Sequence, residues 1–472
     1  MAKKLTDSTA VSMLADTDSL IGNFGGTIGQ VTIPNLRNAL NMNDEQVLND
    51  IAFYIDVNKA SSKGSTRVDV GGNLGMIDTL FGMRQGVLMN ENGQYVPLNR
   101  DDHRYTEDGT LIYDESTGKL LSAYEHLDMM MILPKYYGRV QLVSTGSSTI
   151  ERSWFSLVPI PGGYEIPQQV VGVYKATNVS SAMRSLPGYV SDNSKSINAF
   201  WNLAQVRSNN HGLANCDFRD WLLFYMMATY GWRDSQNCKT SDGTLVWGVG
   251  LDGTESTASG ESTGTVGFTR QQNIKHGACI SLGINDGKAA VTDSIGNTCH
   301  SVNVAGFENP WGQRWEMVQG YCAVDTTVYR WRHNWMPSTD SSITVSGSSQ
   351  AYVSSAVFDN VEHVELTRPT SSGYRMNIIS GKDGQGTYMF QHSTLSGVSY
   401  EDGYSYSSNG QLVLFGGGSS YGASCGLAFV TSSSAWSLAH SSLSARLAAK
   451  SGELACYFGK QFIEIWAEYL LG

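Results

Sequence analysis

From Leu414 to Phe429 the chain reads Leu-Phe-Gly-Gly-Gly-Ser-Ser-Tyr-Gly-Ala-Ser-Cys-Gly-Leu-Ala-Phe, then continues through Trp436 and His440 to Ser444-Ala445-Arg446-Leu447. Gly, Ser and scattered aromatics alternate here with small apolar residues. Glycine costs backbone entropy and serine hydroxyls need partners, so the stretch is a poor recipe for a buried core. It suits a displayed surface. Tyr and Trp give contact area at low entropic cost, and Ser and Gly give adaptable hydrogen bonds. The feature points to recognition rather than chemistry, and it requires a rigid scaffold elsewhere in the chain.

With 472 residues the chain is long enough for about two to four domains. Only 16% of residues are charged, 51 are glycine and 10% are aromatic, so polarity comes from Ser, Thr and Asn. That profile suits β-rich, loop-heavy proteins working outside cells or on particles. The net charge of −11, without a basic run, excludes a protein that tracks nucleic-acid phosphates and disfavours anionic membrane surfaces. Seven cysteines, none in a CxxC pair, argue against metal or redox motifs. Their odd number argues against a full disulfide framework and for buried thiols made in a reducing cytoplasm. Met1–Asp7 leads into polar sequence with no apolar signal-peptide core, and Leu127–Leu133 is too short to span a bilayer. Synthesis in a host cytoplasm and release by lysis, as part of a virion, fits these facts together.

Three regions follow along the chain. Residues 1–45 read as a small module: Ala15-Asp16-Thr17-Asp18 precedes an apolar segment, Gly22–Thr27 reads as a turn, and Val31–Leu40 as a strand entering a short helix with Pro34 in its first turn. Residues 46–118 carry no clear helical stripe. Asn92-Gly93 and Asp108-Gly109 are hairpin signals there, so the region reads as a β-rich connector or stem. From residue 119 aromatics become dense. Met129–Leu133, Trp154–Val158, Val170–Tyr174, Ala428–Val430 and Phe462–Trp466 read as strands. Ile197–Ala204 reads as a helix burying Ile197, Phe200, Trp201 and Ala204. Asp217–Tyr230 reads as a second, burying Phe218, Trp221, Leu222 and Tyr225, with Asp217 as N-cap and Gly231 as its stop. Residues 251–266 and 337–350 are low-complexity polar loops. The fold class is therefore α+β.

The stretch Gly306-Phe307-Glu308-Asn309-Pro310-Trp311-Gly312-Gln313-Arg314-Trp315-Glu316 is unusually specific. Asn309-Pro310 sets a turn, Trp311 and Trp315 fall on one face of it, and Glu308 and Glu316 are placed to pair with Arg314 or Arg332. With Asp217–Phe224 before it and Gly417-Gly418-Ser419…Arg446-Leu447 after it, the set resembles the C-type-lectin fold over residues 120–472. In particular it resembles phage-borne proteins of formylglycine-generating-enzyme-like topology, including the variable proteins of diversity-generating retroelements. Leu133–Arg139 and Ile166-Pro167…Val171–Tyr174 also resemble fibres of tailed phages of gut bacteria, the crAss-like group among them. The segment from Ala15 resembles the particle-attachment end of such fibres.

The resemblance implies a C-type-lectin-like receptor-binding domain over 119–472, with two helices and twisted antiparallel strands, behind the 1–45 anchor and the 46–118 connector. It implies a homotrimeric head or tail fibre, attached to capsid or tail by its N-terminal module and binding a host-surface glycan or protein. The displayed surface is then Phe415–His440, with Ser419, Ser420, Tyr421, Ser433, Trp436 and His440 as receptor contacts. Trp436 would stack on a sugar ring while Ser and His bond its hydroxyls. The rival readings are a capsid or tail decoration without receptor role and a polysaccharide depolymerase.

Other chemistry finds less support. The related oxidising enzymes use two close thiols after the Gly-Gly-Ser, where this chain has only Cys425. Glu308-Asn309-Pro310 resembles a calcium-lectin sugar loop only superficially, flanked as it is by core tryptophans. His276–Cys279 has a tolerable spacing for zinc, but Cys299-His300 is an adjacent pair that does not match the ligand spacing of a structural site, so buried thiols and satisfied polar contacts fit better. Glu362 and Glu365 fit edge charges better than a glycosidase pair. No catalytic residue, cofactor or metal is expected.

Overall fold

The computed structural model describes residues 19–24, 27–32, 44–58, 68–145, 148–160, 163–236, 238–244, 246–247, 272–280, 286–292, 298–331, 363–368, 370, 372–374, 379–380, 386–387, 403–408, 412–418, 421 and 425–449. The readings made for 1–18, 33–43, 251–266, 337–350, Arg332, Glu362 and Phe462–Trp466 lie outside them. Within them the protein is α+β and mostly sheet.

The largest sheet has eleven strands. Its path runs Gly373–Tyr374, Gly403–Tyr406, Val430–Ser434, Leu412–Phe415, Trp315–Met317, Leu443–Ala449, Gln169–Lys175, Asp128–Leu133, Gln85–Met89, Tyr95–Pro97, and His211–Leu213 adds to Leu443–Ala449. Asp128–Leu133 and Gln169–Lys175 are buried at every residue, which is why they read as apolar runs without alternation. The sheet is not wholly antiparallel, contrary to expectation. Trp315–Met317 runs parallel to Leu443–Ala449, and Gly403–Tyr406 parallel to Val430–Ser434. A second, five-stranded antiparallel sheet runs Tyr164–Ile166, Tyr136–Thr145, Ser148–Ser156, Phe53–Asn58, Asp69–Gly72.

Among the described residues four helices accompany the sheets: α1 (Asp44–Ile51), α2 (Gly75–Gly82), α3 (Ile197–Arg207) and α4 (Cys216–Tyr230). Helix α3 buries Ile197, Phe200, Trp201 and Ala204, the stripe its spacing predicts, and Ser196 caps it by accepting from the Ala199 N–H. Helix α4 differs from its reading. It is buried all round from Cys216 to Ala228, as a helix is when every side meets protein. Phe155, Phe81 and Phe307 contact its Phe224, Trp221 and Phe218 at centroid distances of 4.4, 5.3 and 4.8 Å. Its N-cap is Asn215, not Asp217. Asn215 has the extended backbone a cap needs, and its Oδ1 accepts from Phe218 N–H at 3.1 Å. Gly231 ends the helix in the left-handed region at φ 68°, as expected.

The region 46–118 is not a separate connector. Gln85–Met89 lies in register between Asp128–Leu133 and Tyr95–Pro97, and Phe53–Asn58 pairs with Ser148–Ser156. Phe53, Phe81, Val87 and Leu88 belong to the same core as Trp221 and Trp311. It also carries the helices α1 and α2, absent from the sequence reading. Its two hairpin signals do mark turns, with Gly93 and Gly109 at φ 81° and 85°. Near the N-terminus Ser19–Phe24 pairs with Thr27–Thr32 up to Phe24↔Thr27, so Gly22 and Asn23 lie in strand rather than turn.

Candidate functional site

The 306–316 segment builds the centre of the scaffold. Phe307 packs edge-on against Phe218, and Trp311 meets Trp247 at 5.5 Å and 90°. Trp315 turns to other partners, Phe429 at 4.6 Å and Tyr421 at 5.0 Å, so the two tryptophans do not share one contact surface. Asn309 adopts φ 52°, and its Oδ1 accepts from Val302 N–H at 3.0 Å. An Asn side chain satisfies the local backbone in the left-handed region at low cost.

The acidic residues pair differently from expectation. Glu308 takes its contacts from backbone and hydroxyl: Gly277 N–H at 3.0 Å, Cys279 N–H at 3.2 Å and Ser301 Oγ at 3.1 Å. Burial pushes its carboxyl up to about 7, against those hydrogen bonds. Glu316 faces Arg446 at 3.3 Å and Arg219 at 4.0 Å. Burial pushes Glu316 upward, but Arg446, Arg219 and Lys175 outweigh it and hold the carboxyl below its ordinary range. Arg446 also donates to the carbonyls of Gly172 (3.0 Å), Val173 (2.6 Å) and Glu308 (3.0 Å). It therefore ties the Leu443–Ala449 strand to the Gln169–Lys175 strand and the 308 turn. Lys175 donates to the Arg314 carbonyl, and burial pulls its amine down to about 7. The sequence marked Arg446 only as the end of a motif. Its five contacts come from residues 130 to 274 positions away, and no local pattern announces them.

Over this scaffold lies the Gly-rich segment. Gly416 and Gly417 adopt φ 87° and 77°. A β-carbon on Gly416 would sit 2.6 Å from the Pro310 carbonyl, and one on Gly417 2.7 Å from Cys425 Sγ. The glycines thus let the loop lie directly on the 310–311 backbone, held by Gly312 N–H to Gly417 O at 3.0 Å. The Cys425 thiol is buried and donates to Gly418 O at 3.1 Å.

The six expected contact residues separate. Ser419 and Ser420 lie outside the described residues. Tyr421 is exposed at 44%, its ring edge-to-face on Trp315 and on Phe429 at 5.3 Å, its N–H bound to Gly418 O at 3.1 Å. His440 is exposed, with Nδ1 2.8 Å from Ser442 Oγ. Ser433 is half-buried on the Val430–Ser434 strand, its hydroxyl 2.6 Å from Thr431 Oγ1. Trp436 is only 2% exposed. It packs in the core with Nε1 donating to Asn198 Oδ1 on α3 at 3.3 Å, so it presents no ring for sugar stacking. Of the two aromatic residues among the six, the accessible ring is that of Tyr421.

Among the described residues no three His, Cys, Asp or Glu side chains converge as metal ligands. His276 stacks at 5.4 Å on Tyr174, and burial pulls it down to about 3. Burial raises the Cys279 thiol, which donates to the Ser301 carbonyl at 3.7 Å. Glu308 and Glu316, 1% and 0% exposed, are out of reach of any polysaccharide. Among the described residues no helix is long and apolar enough to cross a membrane. No protein-family model matches the chain, and no curated protein is significantly similar to it.

Proposed function

We propose that the protein is a virion adhesin: a fibre that joins the particle by its N-terminal module and binds a host-surface glycan or protein through a C-type-lectin-like domain. The observation that carries this reading is Tyr421, an accessible ring in a Gly-Ser loop, braced from beneath by Trp315 and Phe429. An aromatic fixed in this way loses little entropy on contact, as recognition surfaces require. The buried network of Glu308, Glu316, Arg219 and Arg446 supports the same reading, because it stiffens the base without offering a reactive group to solvent.

Assembly as a trimer would present three such faces together. Multivalent attachment then converts weak individual sites into firm adhesion. The test is competition. Host cells pre-incubated with excess full-length protein should lose adsorption of the particle that carries it, and protein with Tyr421→Ala should not block. Undiminished adsorption in the presence of folded wild-type protein would overturn the adhesin reading in favour of a structural decoration.

A further inference from the structure

Three loops are linked one to the next from Tyr421 through Gly418, Ser442 and His440 to Ser194. A β-carbon on Gly418 would lie 3.4 Å from Trp315 Cδ1 and 4.0 Å from Ser442 Cβ, and its carbonyl accepts the Tyr421 N–H. Ser442 donates its N–H to His440 Nδ1 at 3.2 Å. The His440 carbonyl in turn accepts the Ser194 N–H at 3.1 Å. Tyr421, Gly418, Ser442, His440 and Ser194 therefore form a continuous run.

The far end of that run is held as firmly as the near end. Ser191 is buried, and its hydroxyl accepts from Arg314 Nε at 2.8 Å, so the scaffold segment positions this loop too. Asp192 N–H donates to Ala176 O at 2.6 Å. Between these anchors Ser194 is exposed at φ 57°, with its hydroxyl on Asn193 Oδ1 at 2.7 Å. A non-glycine residue persists in that conformation only where its surroundings over-determine it, and such positions cluster at ligand contacts.

The chemistry of the combined face is neutral. Lys195 Nζ lies 2.6 Å from Asp192 Oδ1, so the loop's two charges compensate. His440 Nδ1 accepts from Ser442 N–H at 3.2 Å, which leaves Nε2 as the ring's outward polar atom. The Asn193 amide and the Ser194 and Ser442 hydroxyls lie on the loops that this run links to Tyr421, where they meet Ser191 O, Asn193 Oδ1 and His440 Nδ1. An apolar ring face with uncharged donors and acceptors on the linked loops matches the C–H face and hydroxyls of a sugar.

We propose that Asn193 and Ser194 form the second half of the recognition face and that its ligand is a neutral glycan; this rests on the adhesin reading. The experiment uses the full-length protein on an array of neutral and of carboxylated or sulfated glycans, with Tyr421→Ala, Asn193→Asp and Ser194→Gly variants. Asn193→Asp keeps the acceptor for Ser194 but removes the amide, which donates to Ser191 O at 3.4 Å, and adds a charge. It should weaken neutral-glycan binding about tenfold, the scale of one lost hydrogen bond, with only a small fall in the thermal midpoint. Ser194→Gly should weaken binding while leaving stability equal or higher, a separation that a purely structural role would not produce.

Loss of binding with Tyr421→Ala but wild-type affinity in both loop variants would overturn the composite face and leave the adhesin reading standing. Selective binding of acidic glycans, or of protease-sensitive cell-surface material alone, would overturn the ligand class. Binding to no glycan and no cell surface would overturn both readings.

Discussion

Replacing Arg446 by methionine tests the scaffold at its centre. The guanidinium is fully buried and meets Glu316 at 3.3 Å and three carbonyls, those of Gly172, Val173 and Glu308. Breaking a buried ion pair from one side costs about 3–5 kcal/mol, because the remaining charge stays desolvated. Three carbonyls stripped of a donor add about 1 kcal/mol each at the low end of the range. The sum, about 6–8 kcal/mol, is comparable to the whole stability of an ordinary domain, about 5–15 kcal/mol. Arg446→Met should therefore unfold at much lower urea or fail to accumulate as soluble protein. In the Arg446→Met/Glu316→Met double variant no carboxylate is left without Arg446, but Arg219 and Lys175 lose their counter-charge, so only part of the loss, about 1–2 kcal/mol, should return. Tryptophan fluorescence during urea unfolding follows this, since buried Trp315 precedes Glu316 and pairs with Leu443 on the Arg446 strand. A single variant costing under about 2 kcal/mol, or a double variant no better than the single, would refute the reasoning.

Four other outcomes are expected. Gly416→Ala should destabilise by about 1–3 kcal/mol from its φ of 87° alone, before the clash with Pro310 O, measurable as a lower thermal midpoint. Tyr421→Ala should lower stability by about 1–3 kcal/mol through its edge contacts with Trp315 and Phe429, leaving the protein folded while abolishing cell binding. A fragment of residues 119–472 should not unfold cooperatively, because removing Gln85–Met89 takes away the strand paired along Asp128–Leu133 and part of the core; a cooperative urea transition in that fragment would contradict the shared core. The pH dependence has two limbs. Glu308, raised to about 7 from 4.5, contributes stability that is full below 4.5 and lost as pH rises through 7. Lys175, lowered to about 7 from 10.5, contributes stability present above 10.5 and lost as pH falls through 7. Glu308→Gln should flatten the pH profile between 4.5 and 7, and Lys175→Met that between 7 and 10.5, in thermal melts across the series.

Local chemistry was legible and long-range pairing was not. The α3 stripe, the Gly231 stop, the buried run Asp128–Leu133 and the turns at Gly93 and Gly109 follow from spacing and backbone preference within a few residues. The cap of α4 was misplaced by two positions, because Asn215 and Asp217 are both cap formers and only the extended backbone at Asn215 decides between them. The integration of 46–118 escaped notice because its strands are short and their partners lie far along the chain. Trp436 misled for a related reason. Its neighbours Ser433, Ser434, Ala435 and Ser437 are small and compatible with exposure. Its burial is settled by α3, more than 200 residues earlier, where Asn198 receives its indole N–H. Loop 191–195 escaped because a polar turn carries no sign of what it abuts.

The most direct measurement is a binding isotherm of the full-length protein on intact host cells, with Tyr421→Ala beside Val206→Ala, a change at an exposed position on α3. Saturable binding that survives Val206→Ala and disappears with Tyr421→Ala is the predicted result. Equal binding by all three proteins, or none by the folded wild type, would contradict the claim that this face attaches the particle to its host.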